Sequence, residues 1–426
     1  MKKHKKSQRC RLGRAVTHRR GNVVALKELE RVLVTERAVP DLFDPYRLGP
    51  LTLRNRIVKA ATFEGVMPNG SVSDDLIAFH RRVAAGGAAL TTVAYCAVAE
   101  GGRVHRHTLV MRPEITPDLQ RLTDAVHDEG ALVSAQIGHA GLVANTRSNR
   151  RPTLAPSTRM SAPAMGRVKA ATPAQLDDVV ADFRRATEVA VAAGFDAVEI
   201  HLGHNYLLSS FLSPNLNHRT DEYGGSIENR VRLARRVIEA VRDVAGDRIA
   251  VLGKLNMDDG VKGGLWVDES LPMAALLQAD GQLDALELTG GSSLANGMYF
   301  FRGDVPMKEF IATQPKAVGL GLRVMGHKLF PYYPFEEAFF LPLARQFRAE
   351  LTMPLILLGG INERATIDGA LGEGFELVAM ARALLREPDL PNRFRDEGRT
   401  GSLCIHCNKC LPTIYTGTRC VLVDQA

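Results

Sequence analysis

The chain contains no apolar run long enough to span a bilayer as a helix. Its basic start is not followed by an unbroken apolar stretch, so no secretory signal is expected. No short apolar run leads into a Gly-x-Gly-x-x-Gly turn, which argues against a doubly wound, dinucleotide-binding sheet. Acids are missing from residues 1–20, where Lys2, Lys3, Lys5, Lys6, Arg9, Arg11, Arg14, Arg19 and Arg20 stand. With +7 overall and +9 in this tail, the rest of the chain carries about −2. The body is therefore not a basic nucleic-acid-binding surface, and residues 1–38 are expected to be a solvated, disordered extension. Cysteine is scarce, six in 426 residues. Without a secretion signal these read as thiols or metal ligands, not disulfides, in a cytoplasmic protein.

What is present is regular. Eight short apolar runs recur along the chain: 56–61, 88–95, 131–137, 196–200, 249–255, 285–289, 354–358 and 377–381. Amphipathic stretches alternate with them, at 74–85, 117–129, 173–193 and 226–244. Eight strand-then-helix units predict a (β/α)8 TIM barrel over residues 39–401. One connection is too long. From Gly290 to about Tyr333 no strand is evident, and the stretch from Tyr299 to Phe347 holds eight of the sixteen Phe. That aromatic content argues against disorder. It fits a lid over the barrel mouth, or a patch packed on the barrel wall or on a second copy of the chain.

The densest chemistry follows the fourth run, in His201-Leu-Gly-His204-Asn-Tyr206. Side chains at these spacings converge on one pocket at a strand's C-terminal end. Two imidazoles can hold a substrate oxygen and stabilise charge growing on it, and a tyrosine can donate a proton. Alone, the pattern also fits a metal pair or two surface histidines. Downstream, Gly224-Gly225 reads as a turn and Ser226 as the N-cap of the next helix. At other strand ends stand Gln136, Lys254, Gly359-Gly360 and Ala381-Arg382. In a TIM barrel the last two sites are where phosphate binds, on bare backbone N–H groups and a cation.

The run from His201 to Arg230, including Asn217-His-Arg-Thr-Asp-Glu-Tyr-Gly-Gly-Ser-Ile-Glu-Asn-Arg230, resembles the old yellow enzyme family of flavin-dependent ene-reductases. Asn55-Arg-Ile-Val-Lys-Ala-Ala-Thr-Phe63, Gln136-Ile-Gly-His139-Ala-Gly141 and Ala155-Pro-Ser157 fit the same pattern, in order, over about residues 40–400. The resemblance implies FMN and NAD(P)H as reductant in a ping-pong reduction of an activated, carbonyl-conjugated alkene. It implies that Ala60, Ala61, Thr62, Tyr95, Gln136, Lys254, Gly359, Gly360, Ala381 and Arg382 hold the flavin. His201 and His204 would then hold the substrate oxygen and Tyr206 would protonate carbon. Three positions depart from the pattern: Phe63 replaces the usual Thr or Cys, Lys254 the usual Arg, and Tyr95 a smaller residue.

Residues 402–426 form a separate segment. Cys404-Ile-His-Cys407-Asn-Lys-Cys410 followed by Cys420 reads as a four-thiolate metal site, with His406 exposed rather than ligating. It resembles the iron–sulfur segment of 2,4-dienoyl-CoA reductase and trimethylamine dehydrogenase. Three functions are therefore carried forward: a stand-alone ene-reductase, an iron–sulfur flavoprotein served by a separate electron-transfer partner, and a non-catalytic barrel with zinc on the cysteines. No nucleic acid or membrane partner is expected.

Overall fold

The computed structural model describes residues 39–313, 319–323, 326 and 330–423. The basic tail and Cys10 lie outside these residues. The described chain opens on an antiparallel hairpin, β1 (Tyr46–Leu48) and β2 (Leu51–Leu53). All eight predicted runs then form strands of one closed parallel barrel. They are β3 (Ile57–Lys59), β4 (Leu90–Ala97), β6 (Leu132–Gly138), β9 (Ala197–Leu202), β10 (Ala250–Asn256), β11 (Ala285–Thr289), β12 (Leu355–Leu358) and β13 (Leu377–Met380). The last pairs back onto β3, closing the ring. Outside it, β5 (Leu109–Val110) lies parallel to β4, and β7 (Arg159–Ser161) pairs with β8 (Gly166–Val168) as a hairpin.

Residues 74–85 begin at the N-cap Ser73, which accepts from the Leu76 amide. The helix Pro173–Ala192 begins on a capping box of Thr172 and Gln175, with Pro173 in the first turn, where its missing N–H costs nothing. Ser226 caps Ile227–Ala245 by accepting from Asn229, as expected. The barrel is plugged from below. Leu48, Leu51 and Leu53 of the hairpin pack against Val58, Leu90, Ala197, Ala250 and Ala285 at the starts of the strands. The opposite, C-terminal ends are left for a site, as the fold requires.

The aromatic segment divides its residues between the readings offered for it. Phe347, in the helix Leu341–Glu350, is buried in the main core. Phe300, Phe301, Phe339 and Phe340 instead border the cavity at the strand ends. The segment is partly helical, at Met298–Phe301 and Met307–Ala312, which its lack of clear periodicity concealed.

Candidate functional site

A cavity of about 380 Å³ opens at the C-terminal ends of the barrel strands, within the usual range for small-molecule sites. Every strand of the ring contributes to it, through Ala60, Tyr95, Gln136, His201, Lys254, Thr289, Gly359 and Ala381 among others. All thirteen residues singled out for cofactor or substrate contact line this one space, including Ala61, Thr62, Gly360, Arg382, His204 and Tyr206.

The histidine turn is held from three sides. Gly203 permits the close approach: a Cβ there would stand 3.0 Å from Asn256 Oδ1 and 3.1 Å from Thr289 Cγ2. His204 and Asn205 both take left-handed backbone angles, φ 59° and 58°, an uncommon state for residues other than glycine. The turn is fixed by the His204 amide donating to Asn256 Oδ1 (3.0 Å) and by Ser209 Oγ donating to the Gly203 carbonyl (2.6 Å). His201 Nε2 and His204 Nδ1 face each other at 3.3 Å, while His204 Nε2 lies 3.1 Å from Thr289 Oγ1. The Tyr206 ring sits edge-on to His201, centroids 4.5 Å apart. Burial, then the neighbouring His204 and Lys254, holds His201 well below the usual imidazole range; burial and Lys254 lower His204 to about 3. Both rings are neutral across physiological pH, so each carries a single N–H, and the tautomer sets which nitrogen bears it.

The floor of the cavity is charged and buried. Lys254 (β10) is ion-paired with Glu287 (β11), its cross-strand partner, both side chains at most 4% exposed. Gln136 (β6) donates from Nε2 to Glu199 (β9), again its register partner. Burial alone would lower the Lys254 ammonium, but Glu199 and Glu287 outweigh it and raise its pKa. Lys59 (β3), fully buried, donates to the Ala60 carbonyl (2.6 Å) and Thr62 Oγ1 (2.9 Å). The glutamates were missed in the sequence. Their signal was a lone acid in each of two apolar strands, Ala-Val-Glu-Ile and Ala-Leu-Glu-Leu.

The β12 end suits a phosphate. Gly359 and Gly360 have φ of 115° and 74°, and a Cβ on either would strike the Phe340 or Phe339 ring at 2.6 Å. Bare backbone is therefore required there. Arg382 Nη1 donates to the Arg302 carbonyl (2.8 Å) and to Asn408 Oδ1; its Nε and Nη2 carry no hydrogen bond among the described residues. This donor set fits a flavin nucleotide.

The C-terminal segment closes one side of the cavity with Cys410, Leu411, Ile414 and Thr418, none of which the sequence placed there. It is tied down by Thr418, whose amide donates to the Glu64 carbonyl (2.8 Å). Cys404, Cys407, Cys410 and Cys420 line a second, small cavity of about 20 Å³ that shares Arg382, Leu385 and Cys410 with the first. Their chemistry suits a metal cluster, yet among the described residues no group of three or more His, Cys, Asp or Glu is arranged as a metal site. His406 is half-buried rather than exposed, its ring stacked on Phe335 with centroids 3.4 Å apart. No helix among the described residues is long and apolar enough to cross a membrane.

Comparison with known proteins bears on this geometry. The family model for the NADH:flavin oxidoreductase / NADH oxidase family matches residues 41–290. The chain is 70% identical over 391 residues to the 4,4'-dithiodibutanoate disulfide reductase of Rhodococcus erythropolis, covering 92% of this chain and 97% of that one. It is 31% identical over 383 residues to the metal reductase of Desulforamulus reducens, covering 88% of this chain and about half (52%) of that longer protein. The old yellow enzyme homologue of Zymomonas mobilis superposes with a TM-score of 0.65 at 24% identity, over 86% of this chain and 96% of that one; this likeness is of fold. On the extent of these matches, the chain belongs to the NADH:flavin oxidoreductase / NADH oxidase family and is a flavin-dependent NAD(P)H oxidoreductase on the old yellow enzyme barrel.

Proposed function

We propose that the chain uses FMN and NAD(P)H to reduce a small organic disulfide with carboxylate ends, of the 4,4'-dithiodibutanoate kind. The observation that carries this reading is the 70% identity to a reductase of that disulfide along 97% of its length. The ene-reduction expected from the sequence takes second place, since the old yellow enzyme homologue matches at 24% identity.

When bound, the flavin takes a hydride from NAD(P)H and passes two electrons on. The protein's own groups supply the rest. In this reading Gln136 and Lys254 contact the ring, Ala60, Ala61, Thr62 and Tyr95 wall it, and Gly359, Gly360, Ala381 and Arg382 hold the phosphate. The neutral His201 and His204 orient the polar end of the reacting group at the point where their nitrogens converge. Cleavage of an S–S bond by two electrons and one proton leaves a thiol and a thiolate. Tyr206, beside His201, supplies the proton, and the imidazole pair stabilises the departing negative charge.

A second reading keeps the same pocket for an activated alkene. The pairing of His201 with His204 favours it, since two neutral donors at one point suit a carbonyl oxygen gaining charge. The cysteines carry a further proposal, a [4Fe–4S] cluster on Cys404, Cys407, Cys410 and Cys420, supported by their spacing and their shared cavity. No catalytic step is assigned to it.

The test is turnover of the purified protein with NADH and with NADPH, offered 4,4'-dithiodibutanoate or a cyclic enone, after denaturation of a sample to identify the released flavin. Disulfide consumption with matching thiol release is expected, from protein that yields FMN. Reduction of the enone alone would replace the first reading by the second. Recovery of FAD would remove the cofactor assignment.

A further inference from the structure

The barrel interior holds more buried charge than binding a flavin needs. Five ionisable side chains, from β3 and the loop after it and from β9, β10 and β11, face one another there. Lys59 and Lys254 are the cations; Glu64, Glu199 and Glu287 are the acids. All are at most 3% exposed. Fully ionised, they would leave one uncompensated negative charge in a buried layer, which is costly.

The hydrogen bonds show where that charge goes. Glu287 Oε1 receives the Lys254 ammonium, but Glu287 Oε2 is buried without a donor. Glu199 receives Gln136 Nε2, and the neighbouring Glu287 carboxyl pushes its pKa up. Two carboxyl groups can bond only if one carries a proton. Burial pushes Glu64 up as well, to about 8, but it is partnered differently: its Oε2 accepts the Ala94 amide (2.9 Å) and Oε1 lies 3.4 Å from Thr62 Oγ1, which both favour its charged form.

We propose that Glu199 is held protonated at neutral pH and donates to Glu287 Oε2, so that the Glu199–Glu287 pair carries a single negative charge balancing Lys254. These are positioning residues. They aim the Lys254 side chain at the cavity and set the field that the flavin experiences. Burial pushes the Glu199 carboxyl up, against the pull of Lys254 and with the push of Glu287. The groups facing the pair are Gln136 on β6, Lys254 on β10 and Lys59 on β3; His201 and His204 face Lys254 from above and stay neutral. The inference rests on a flavin occupying the cavity only for its redox readout.

Glu199→Gln discriminates, because a glutamine amide keeps the hydrogen bond and has the charge of a protonated carboxyl. The flavin midpoint potential of this variant at pH 7 should match the wild type. In the wild type, loss of the shared proton at alkaline pH adds negative charge beside the ring, so the potential should fall more steeply with pH there. That break should be missing in Glu199→Gln. If both carboxyls were ionised at pH 7, the variant would instead show a positive shift, which would overturn the proposal. A second measurement does not depend on the flavin. Isotope-edited infrared spectra of purified wild-type protein, with labelled glutamate, should show a protonated carboxyl at pH 7. Its absence, or its disappearance only in Glu64→Gln, would also overturn the proposal.

Discussion

Two polar groupings border the cavity, and they differ in how complete they are. The charged layer of Gln136, Glu199, Lys254 and Glu287 sits on the regular part of neighbouring strands, two of its contacts between register partners. Its members pair with one another, Lys254 with Glu287 and Gln136 with Glu199. The cysteine segment surrounds its own small cavity with four thiols, but among the described residues they do not form a finished metal site. The first grouping is organised by the barrel ladder itself and is ready before any ligand arrives. The second lies on irregular backbone, where left-handed His406 and Asn408 (φ 57° and 53°) bend the chain, and a bound group would contribute its organisation.

The largest effect should come from breaking the charged layer. Lys254→Met leaves two carboxyls facing each other without a cation. Removing one partner of a buried pair typically costs about 3–5 kcal/mol, so chemical denaturation should show a loss of that order, with weakened flavin retention. Lys254→Met combined with Glu287→Gln should recover part of it. A single variant as stable as wild type would show that the layer is not what completes the floor.

Next in size is the histidine turn. Loss of one preorganised donor costs roughly 10²–10³-fold in comparable sites. His201→Ala with His204→Ala should abolish binding of phenol-type ligands, read by flavin absorbance changes, while the flavin stays bound. Unchanged phenol affinity would end their assignment as substrate-holding groups.

The cysteine segment should respond more locally. Cys407→Ala should lower thermal stability and remove iron and sulfide from anaerobically purified protein, while reduction of the flavin by NAD(P)H in a single turnover stays near normal. Wild-type protein with neither iron nor sulfide would reduce the grouping to thiols lining a cavity. Zinc in their place would move the segment to the third function weighed above.

The smallest effect concerns pH. His201 and His204 both have folded pKa values below the ordinary 6.5, chiefly through burial. Below about pH 6.5 the unfolded chain binds protons that the folded one refuses, so their contribution to stability falls as pH drops from 6.5 toward 3 and is flat above. Phenol affinity should accordingly show no histidine inflection between pH 6.5 and 8. An inflection there would mean that one imidazole is charged in the folded protein.

The same comparison explains what was legible in the sequence. Barrel strands buried on both faces read as short apolar runs, and all eight runs became strands because nothing else competes for such segments. Residues at strand ends, such as Gln136, Lys254 and Arg382, were readable because a polar residue closing an apolar run has few other uses. Glu199 and Glu287 escaped because they interrupt the runs from inside, where only register reveals that they face Gln136 and Lys254. Cys410 and Thr418 escaped for another reason. They reach the cavity from irregular chain, whose path depends on long-range contacts such as Asn408 Nδ2 donating to the Arg302 carbonyl (3.1 Å), and no local periodicity encodes those.

The most direct test of the central claim is a single-turnover experiment. The enzyme's flavin is first reduced anaerobically with one equivalent of NAD(P)H and then mixed with 4,4'-dithiodibutanoate. The expected result is return of the oxidised flavin spectrum with two thiols released per flavin, a step slowed sharply in the His201→Ala, His204→Ala double variant. A flavin that stays reduced in the presence of the disulfide would contradict the account.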